Sequence, residues 1–188
     1  QLDQLVVVES GRQVAGEQAD HGQGADVRLL EGDCFKLMAE PGIIDRPVGV
    51  YFYDGEHTLL AHYLALAVVE PLLADEALVL VDDATWPVVQ RAHKLFMDRH
   101  PGWEIVEEWD AKVDNDPRWA NGLHALTFRR TGRTVLKGRN EWLRRYQIHV
   151  QNRLNKIAWK AATLFPGVMK FGASIVMGRS RAIEPKDK

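Results

Sequence analysis

Two kinds of run alternate along this chain. Short stretches rich in β-branched and leucine residues at 5–8, 27–30, 48–53 and 77–81 read as strands. The last two are continuously apolar rather than alternating, the pattern of strands covered on both faces, and are expected in the middle of a sheet. Over residues 58–74, Leu60, Leu64, Ala67, Val68 and Leu72 recur at helical spacing, so a crossover helix is predicted there, with Pro71 loosening its last turn. A second helix over 86–99 stops at His100-Pro101-Gly102. Shorter helices are expected after Gly11 and over 35–39. Residues 103–109 and 122–130 then follow as strands with no helix-length segment between them, an arrangement that suits antiparallel pairing. The order predicts an open α/β sheet with helices on both faces.

Beyond residue 130 the pattern changes. Leu143, Tyr146, Val150, Leu154, Ile157, Ala161 and Leu164 form an apolar stripe, with Arg144, Arg145, Arg153, Lys156 and Lys160 on the other faces. This is an amphipathic basic helix, ended by Pro166-Gly167. The apolar stretch 171–178 is too brief for the ~20 residues a spanning helix needs. A domain of residues 1–130 followed by a basic helical tail of residues 131–188 is therefore expected.

Charge sharpens that division. Residues 1–128 hold 9 Lys+Arg against 23 Asp+Glu, a net of −14, and residues 129–188 hold 15 against 3, a net of +12. Three roles stay open for the tail: lying on an anionic membrane surface, forming a homodimer contact, or folding back on the acidic body. Nucleic acid is not expected, because only Trp142, Tyr146 and Trp159 interleave aromatic rings with the basic residues. A single cysteine, Cys34, excludes an internal disulfide framework and a cysteine-based zinc cluster, and a cytoplasmic setting is expected. The first residues lack a signal-peptide pattern. The chain starts without methionine and almost inside a strand, so it is expected to be a fragment.

In open α/β sheets ligands bind beyond the C-terminal ends of the strands. Each strand end here carries acid: Glu9, then Glu31-Gly32-Asp33, then Asp54-Gly55-Glu56-His57, then Asp82-Asp83. So many carboxylates at one edge repel one another unless cations or hydrogen-bond donors lie among them. Glu9 is placed to accept ribose hydroxyls, or to sit at the positive end of a short helix. Asp33 is placed to hold an adenine amino group, or to cap the helix at 35–39. Asp54, Asp82 and Asp83 supply the oxygen ligands Mg²⁺ prefers, the competing reading being that Asp82-Asp83 caps the helix starting near Trp86. His57 suits a general base for a substrate hydroxyl. His62, His93, His100 and His124 show no metal-ligand spacing and read as ordinary surface or packing residues.

Tyr51-Phe52-Tyr53-Asp54-Gly55-Glu56-His57, a helix, Leu72-Leu73 and a strand ending Val81-Asp82-Asp83 resemble class I S-adenosylmethionine-dependent methyltransferases of the macrocin O-methyltransferase and cephalosporin-hydroxylase-like type. Glu31-Gly32-Asp33 and Asn121-Gly122-Leu123 extend the resemblance over about residues 5–130. It implies a Rossmann-like, doubly wound, mostly parallel sheet with an antiparallel last strand. Catalytic roles would fall to Asp54 and His57, cofactor contacts to Glu9, Asp33, Cys34 and Asp54, and a metal, Mg²⁺, to Asp54, Asp82 and Asp83. The activity implied is methyl transfer to a small-molecule or sugar hydroxyl. Two departures stand out. No Glu/Asp-x-Gly-x-Gly loop precedes Glu9, and Asp75-Glu76 replace the Gly-Gly that many relatives carry before the fifth strand. A metal-dependent glycosyltransferase using Asp54-Gly55-Glu56, and a non-catalytic cofactor-fold module acting through its tail, are the alternatives.

Overall fold

The computed structural model describes residues 4–9, 26–111, 119–132, 137–154, 156, 157 and 160. Their strands are β1 (Gln4–Glu9), β2 (Asp26–Glu31), β3 (Val48–Tyr53), β4 (Leu73–Asp82), β5 (Trp103–Trp109) and β6 (Leu123–Arg129). Their helices are α1 (Cys34–Leu37), α2 (Leu59–Val69), α3 (Pro87–Met97) and α4 (Lys137–Tyr146). β1 and β2 pair in parallel, Leu5 opposite Val27 and Glu9 opposite Glu31. The other four form a mixed sheet in the order β3-β4-β6-β5. β3 runs parallel to β4, while β6 is antiparallel to both β4 and β5. The architecture is α/β and the last two strands pair antiparallel as expected, but the expected mostly parallel sheet is corrected among the described residues, because β6 inserts between β4 and β5 and makes two of this sheet's three pairings antiparallel. The short helix expected after Gly11 lies outside the described residues.

Thr58 starts α2 by accepting a hydrogen bond from the Ala61 amide at 3.1 Å, the side-chain cap that an amide without an intrahelical partner requires. The predicted helix over 58–74 is shorter than expected. It ends at Val69, continues as a tight turn over Glu70–Leu72, and gives way to β4 at Leu73. Pro71 is the cause: it has no amide hydrogen to donate, and its ring clashes with a helical carbonyl four residues back. β4 thereby gains four residues at its start relative to the apolar run 77–81. From Ala61 to Ala67 every α2 side chain is buried, because α1, α3 and α4 all pack on it.

The sheet faces are unequal. Tyr53, Val79, Val81, Leu126 and Phe128 are buried in one core with α2, α3 and Phe35 of α1. On the other face Val50, Phe52 and Leu78 are 43%, 48% and 36% exposed. The expectation that 48–53 and 77–81 are covered on both faces is therefore corrected for the described residues, whose helices all gather on the Tyr53 side. β3 has a ladder partner on one edge only among them.

α4 is bonded to the body at several points. Tyr63 Oη donates to Asn140 Oδ1 at 3.3 Å, and Gln147 Nε2 donates to Glu56 Oε2 at 2.7 Å. Leu143 and Ile148 pack against the core. The chain divides into two compact units, Gln1–Ile148 and His149–Lys188. A π-helical turn spans Gln147–Gln151, and the described residues of the second unit beyond it are helical. No described helix is long and apolar enough to cross a membrane.

Candidate functional site

Because β3 and β4 run in the same direction with Tyr53 opposite Val81, the loops that follow them leave the sheet at one edge. β6 begins there too, with Leu123 opposite both Asp82 and Trp109. Asp54, Asp82, Asp83, Trp109 and Asn121 are thereby brought to one place.

Asp83 is the most constrained of them. Its backbone is left-handed, φ 58°, a region aspartate enters more readily than most residues. Its side chain is buried: one oxygen accepts from Asn121 Nδ2 at 2.6 Å, and the other pairs with His57 Nε2. Asp82 Oδ1 turns elsewhere, accepting from Trp119 Nε1 at 2.6 Å and from the Asp83 amide at 2.7 Å. Neither carboxylate caps α3, whose N-cap residue is Trp86 and which has no side-chain cap bond. The capping reading of the acid pair is therefore not realised. Gly122 seals the junction with φ 78°; a Cβ there would stand 2.5 Å from the Trp109 carbonyl oxygen and 2.7 Å from Thr85 Cγ2.

Asp54, His57 and Asp83 each place one ligand atom within 4.8 Å of the others. Asp82, expected to share a cation with Asp54 and Asp83, is not in that set. Partial desolvation, and then the charges of Asp82 and Asp83, push the Asp54 carboxyl above the usual carboxylate range, with His57 opposing. Glu56 points to Gln147 of the α4 region, so Asp54-Gly55-Glu56 does not present two acids to this cluster. Gly55 is required by close approach, since a Cβ would meet the Tyr53 ring at 2.7 Å.

The remaining predicted residues lie by β1 and β2. Glu9 ends β1 opposite Glu31. Asp33 caps α1, accepting from the Lys36 amide at 3.1 Å. Cys34 opens that helix as a neutral thiol, pushed up to about 12 by burial and then by Asp33.

The chain matches no known family profile and no curated protein. Among solved structures it is similar to a "putative O-methyltransferase" of Klebsiella pneumoniae, at 16% identity and a TM-score of 0.40, over 56% of this chain and 50% of that one. It is also similar to a "putative hemolysin" of Streptococcus thermophilus, at 15% identity and a TM-score of 0.45, over 82% of this chain and 61% of the other. The chain thus spans about half the length of the first and less than two thirds of the second. Likenesses this distant leave function to be argued from the site.

Three of the four histidines of no evident spacing, His62, His93 and His124, form a buried row behind the site, while His100 lies apart against Glu70 and Tyr63. His57 stacks on His62 at 6.1 Å between ring centroids, His62 meets His93 at 5.7 Å, and His93 Nδ1 bonds His124 Nδ1 at 2.8 Å. His124 Nε2 reaches Glu108 at 2.9 Å. The network assigns the tautomers: with His124 Nε2–H donating to Glu108, His124 Nδ1 accepts from His93 Nδ1–H. Sequence spacing carries no signal of this row, because its members come from α2, α3 and β6.

Burial, and then the charge of His57, pull His62 down to about 4; burial and then His124 pull His93 well below its ordinary value. Both are neutral in the folded protein at pH 7. In the unfolded chain they take up protons below about pH 6.5, so stability present above that pH is lost as pH falls toward 4. His62 alone is expected to cost on the order of 3 kcal/mol over that range. Urea unfolding from pH 7 to pH 4 measures this. His62→Phe, which also removes two buried ring nitrogens that have no hydrogen-bond partner among the described residues, is expected to retain only the part of the slope due to His93 and other groups. An unchanged slope would remove His62 as the cause.

Proposed function

We propose that this chain is the greater part of an S-adenosylmethionine-dependent O-methyltransferase domain acting on a small-molecule or sugar hydroxyl. The observation that carries the reading is the strand order. A doubly wound sheet runs 3-2-1-4-5; with its first strand set aside, it leaves two parallel pairs, 3 with 2 and 4 with 5. The pairs β2-β1 and β3-β4 are parallel in that manner, and among the described residues β1 and β3 each have one edge without a ladder partner. On this reading a strand and its glycine turn, preceding Gln4, lie between them, and residues 1–130 form the cofactor domain.

The acidic edge suits both groups the reading requires. S-adenosylmethionine supplies an electrophilic methyl on a positively charged sulfur. Glu9 would hold its ribose, Asp33 and the neutral Cys34 its adenine, and Asp54 would border the methyl group. Burial first, and then the neighbouring Asp82 and Asp83, raise the Asp54 carboxyl, and a cation among these acids would offset their mutual repulsion. Asp54 and Asp83, with Asp82 beside them, would hold Mg²⁺, whose contribution is to acidify a hydroxyl near it. His57 acts as the base. Its Nε2 is committed to Asp83, which leaves Nδ1 to take the proton of the acceptor hydroxyl while the oxygen–methyl bond forms and the sulfur–methyl bond breaks. Positioning supplies much of the remaining acceleration.

Calorimetric titration with S-adenosylmethionine tests the reading. The protein with its natural upstream sequence is expected to bind it, and the 188-residue chain to bind weakly or not at all. Absence of binding by the longer protein would overturn the proposal, and tight binding by the short chain would overturn the placement of the missing strand.

A further inference from the structure

In the second unit, Val150, Leu154 and Ile157 occupy helical positions i, i+4 and i+7 and stand 42%, 50% and 63% exposed. Three exposed aliphatic side chains on one stripe are unfavourable in water, each forgoing the stabilisation that burial brings. Arg153 and Lys156 are exposed beside them, as is Lys160 one turn on. From Trp142 to Ile183 the sequence contains no acid at all, while Arg144, Arg145, Arg153, Lys156, Lys160, Lys170, Arg179 and Arg181 fall within that span.

Charge decides among the occupants of this stripe. A symmetric dimer through it would set the same surface against itself, bringing Arg153 and Lys156 toward their own copies with no acid to separate them. Nucleic acid would meet the basic residues but gain nothing from the aliphatic ones, since its contacts are made largely by charge and hydrogen bonding. An anionic lipid surface satisfies both, taking the apolar stripe at the headgroup boundary and pairing the basic residues with phosphate and carboxylate headgroups. We infer that Val150, Leu154 and Ile157, with Arg153 and Lys156 beside them, bind the surface of an anionic membrane, lying on it rather than crossing it. This inference is independent of the methyltransferase reading of the acidic edge.

The test is cosedimentation of the full chain with phosphatidylcholine vesicles containing phosphatidylserine, against vesicles of phosphatidylcholine alone. Binding is expected to the first and not the second, and to weaken as salt shortens the Debye length from about 10 Å at 0.1 M to about 3 Å at 1 M. The doubly substituted proteins Leu154→Glu/Ile157→Glu and Arg153→Glu/Lys156→Glu are each expected to bind about tenfold or more weaker. Circular dichroism and sedimentation equilibrium on the same proteins read folding and oligomeric state. Failure to bind anionic vesicles, equal binding to neutral ones, or substitutions that dissociate a dimer while leaving vesicle binding intact would each overturn the inference.

Discussion

On the proposed methyltransferase reading, Asp83→Asn is expected to lower methyl transfer by about 10²–10⁴-fold, the range a positioned general base contributes, while leaving affinity for S-adenosylmethionine nearly unchanged. The substitution is chosen for what it spares. Asparagine enters the left-handed region about as well as aspartate, so the backbone at φ 58° is kept, and the amide oxygen still accepts from Asn121. What changes is the atom facing His57 Nε2. An NH₂ group there donates instead of accepting, which favours the tautomer with Nε2 bare and Nδ1 protonated, and that ring cannot take a proton at Nδ1. Asp82→Asn is expected to lose less, because its Oδ1 serves as an acceptor for Trp119 and the Asp83 amide, a role an amide oxygen also fills. Turnover, cofactor affinity and Mg²⁺ dependence of the two proteins separate these effects. Wild-type turnover in Asp83→Asn would remove the His57–Asp83 pair from the mechanism.

Gly122→Ala is expected to destabilise the fold by roughly 2–5 kcal/mol and to disable the site in the same step. The left-handed backbone costs an L-residue about 1–2 kcal/mol. The new methyl would also press on two fixed groups, the Trp109 carbonyl at 2.5 Å and Thr85 Cγ2 at 2.7 Å, and overpacking of this kind costs about 1–3 kcal/mol. Relief requires the turn to move. That turn carries Asn121, whose side chain holds Asp83 and whose carbonyl accepts from the Thr85 amide. Gly138→Ala in α4 is the control, since nothing lies within 4 Å of its would-be Cβ, and it is expected to be neutral or stabilising by up to ~1 kcal/mol. Urea unfolding of both proteins, with turnover measured well below the midpoint, checks the pair. Equal stability of the two would show that the Gly122 turn yields without cost.

Several elements were legible along the chain because they depend on short-range patterns. The run 48–53 and the span 103–109 are strands with those bounds, since β-branched and aromatic side chains favour extended backbone locally. The acidic residues closing β3 and β4 were visible as candidates for the same reason: a strand's last residue is a property of its neighbours in sequence. The end of α2 was misjudged by five residues, although Pro71 stood in view, because an apolar stripe says nothing about where a backbone stops donating hydrogen bonds.

Other features were decided only when the sheet assembled. Asn121 holds Asp83 across 38 residues of chain, and Trp119 draws Asp82 aside across 37; both contacts exist because β6 pairs antiparallel with β4 and delivers its leading loop to the strand ends. The histidine row behind the site likewise joins α2, α3 and β6. Helical or strand periodicity identifies which side chains share a face of one element. Which faces meet, and which carboxylate finds a donor, is set by sheet register and helix packing, interactions between segments far apart in the chain.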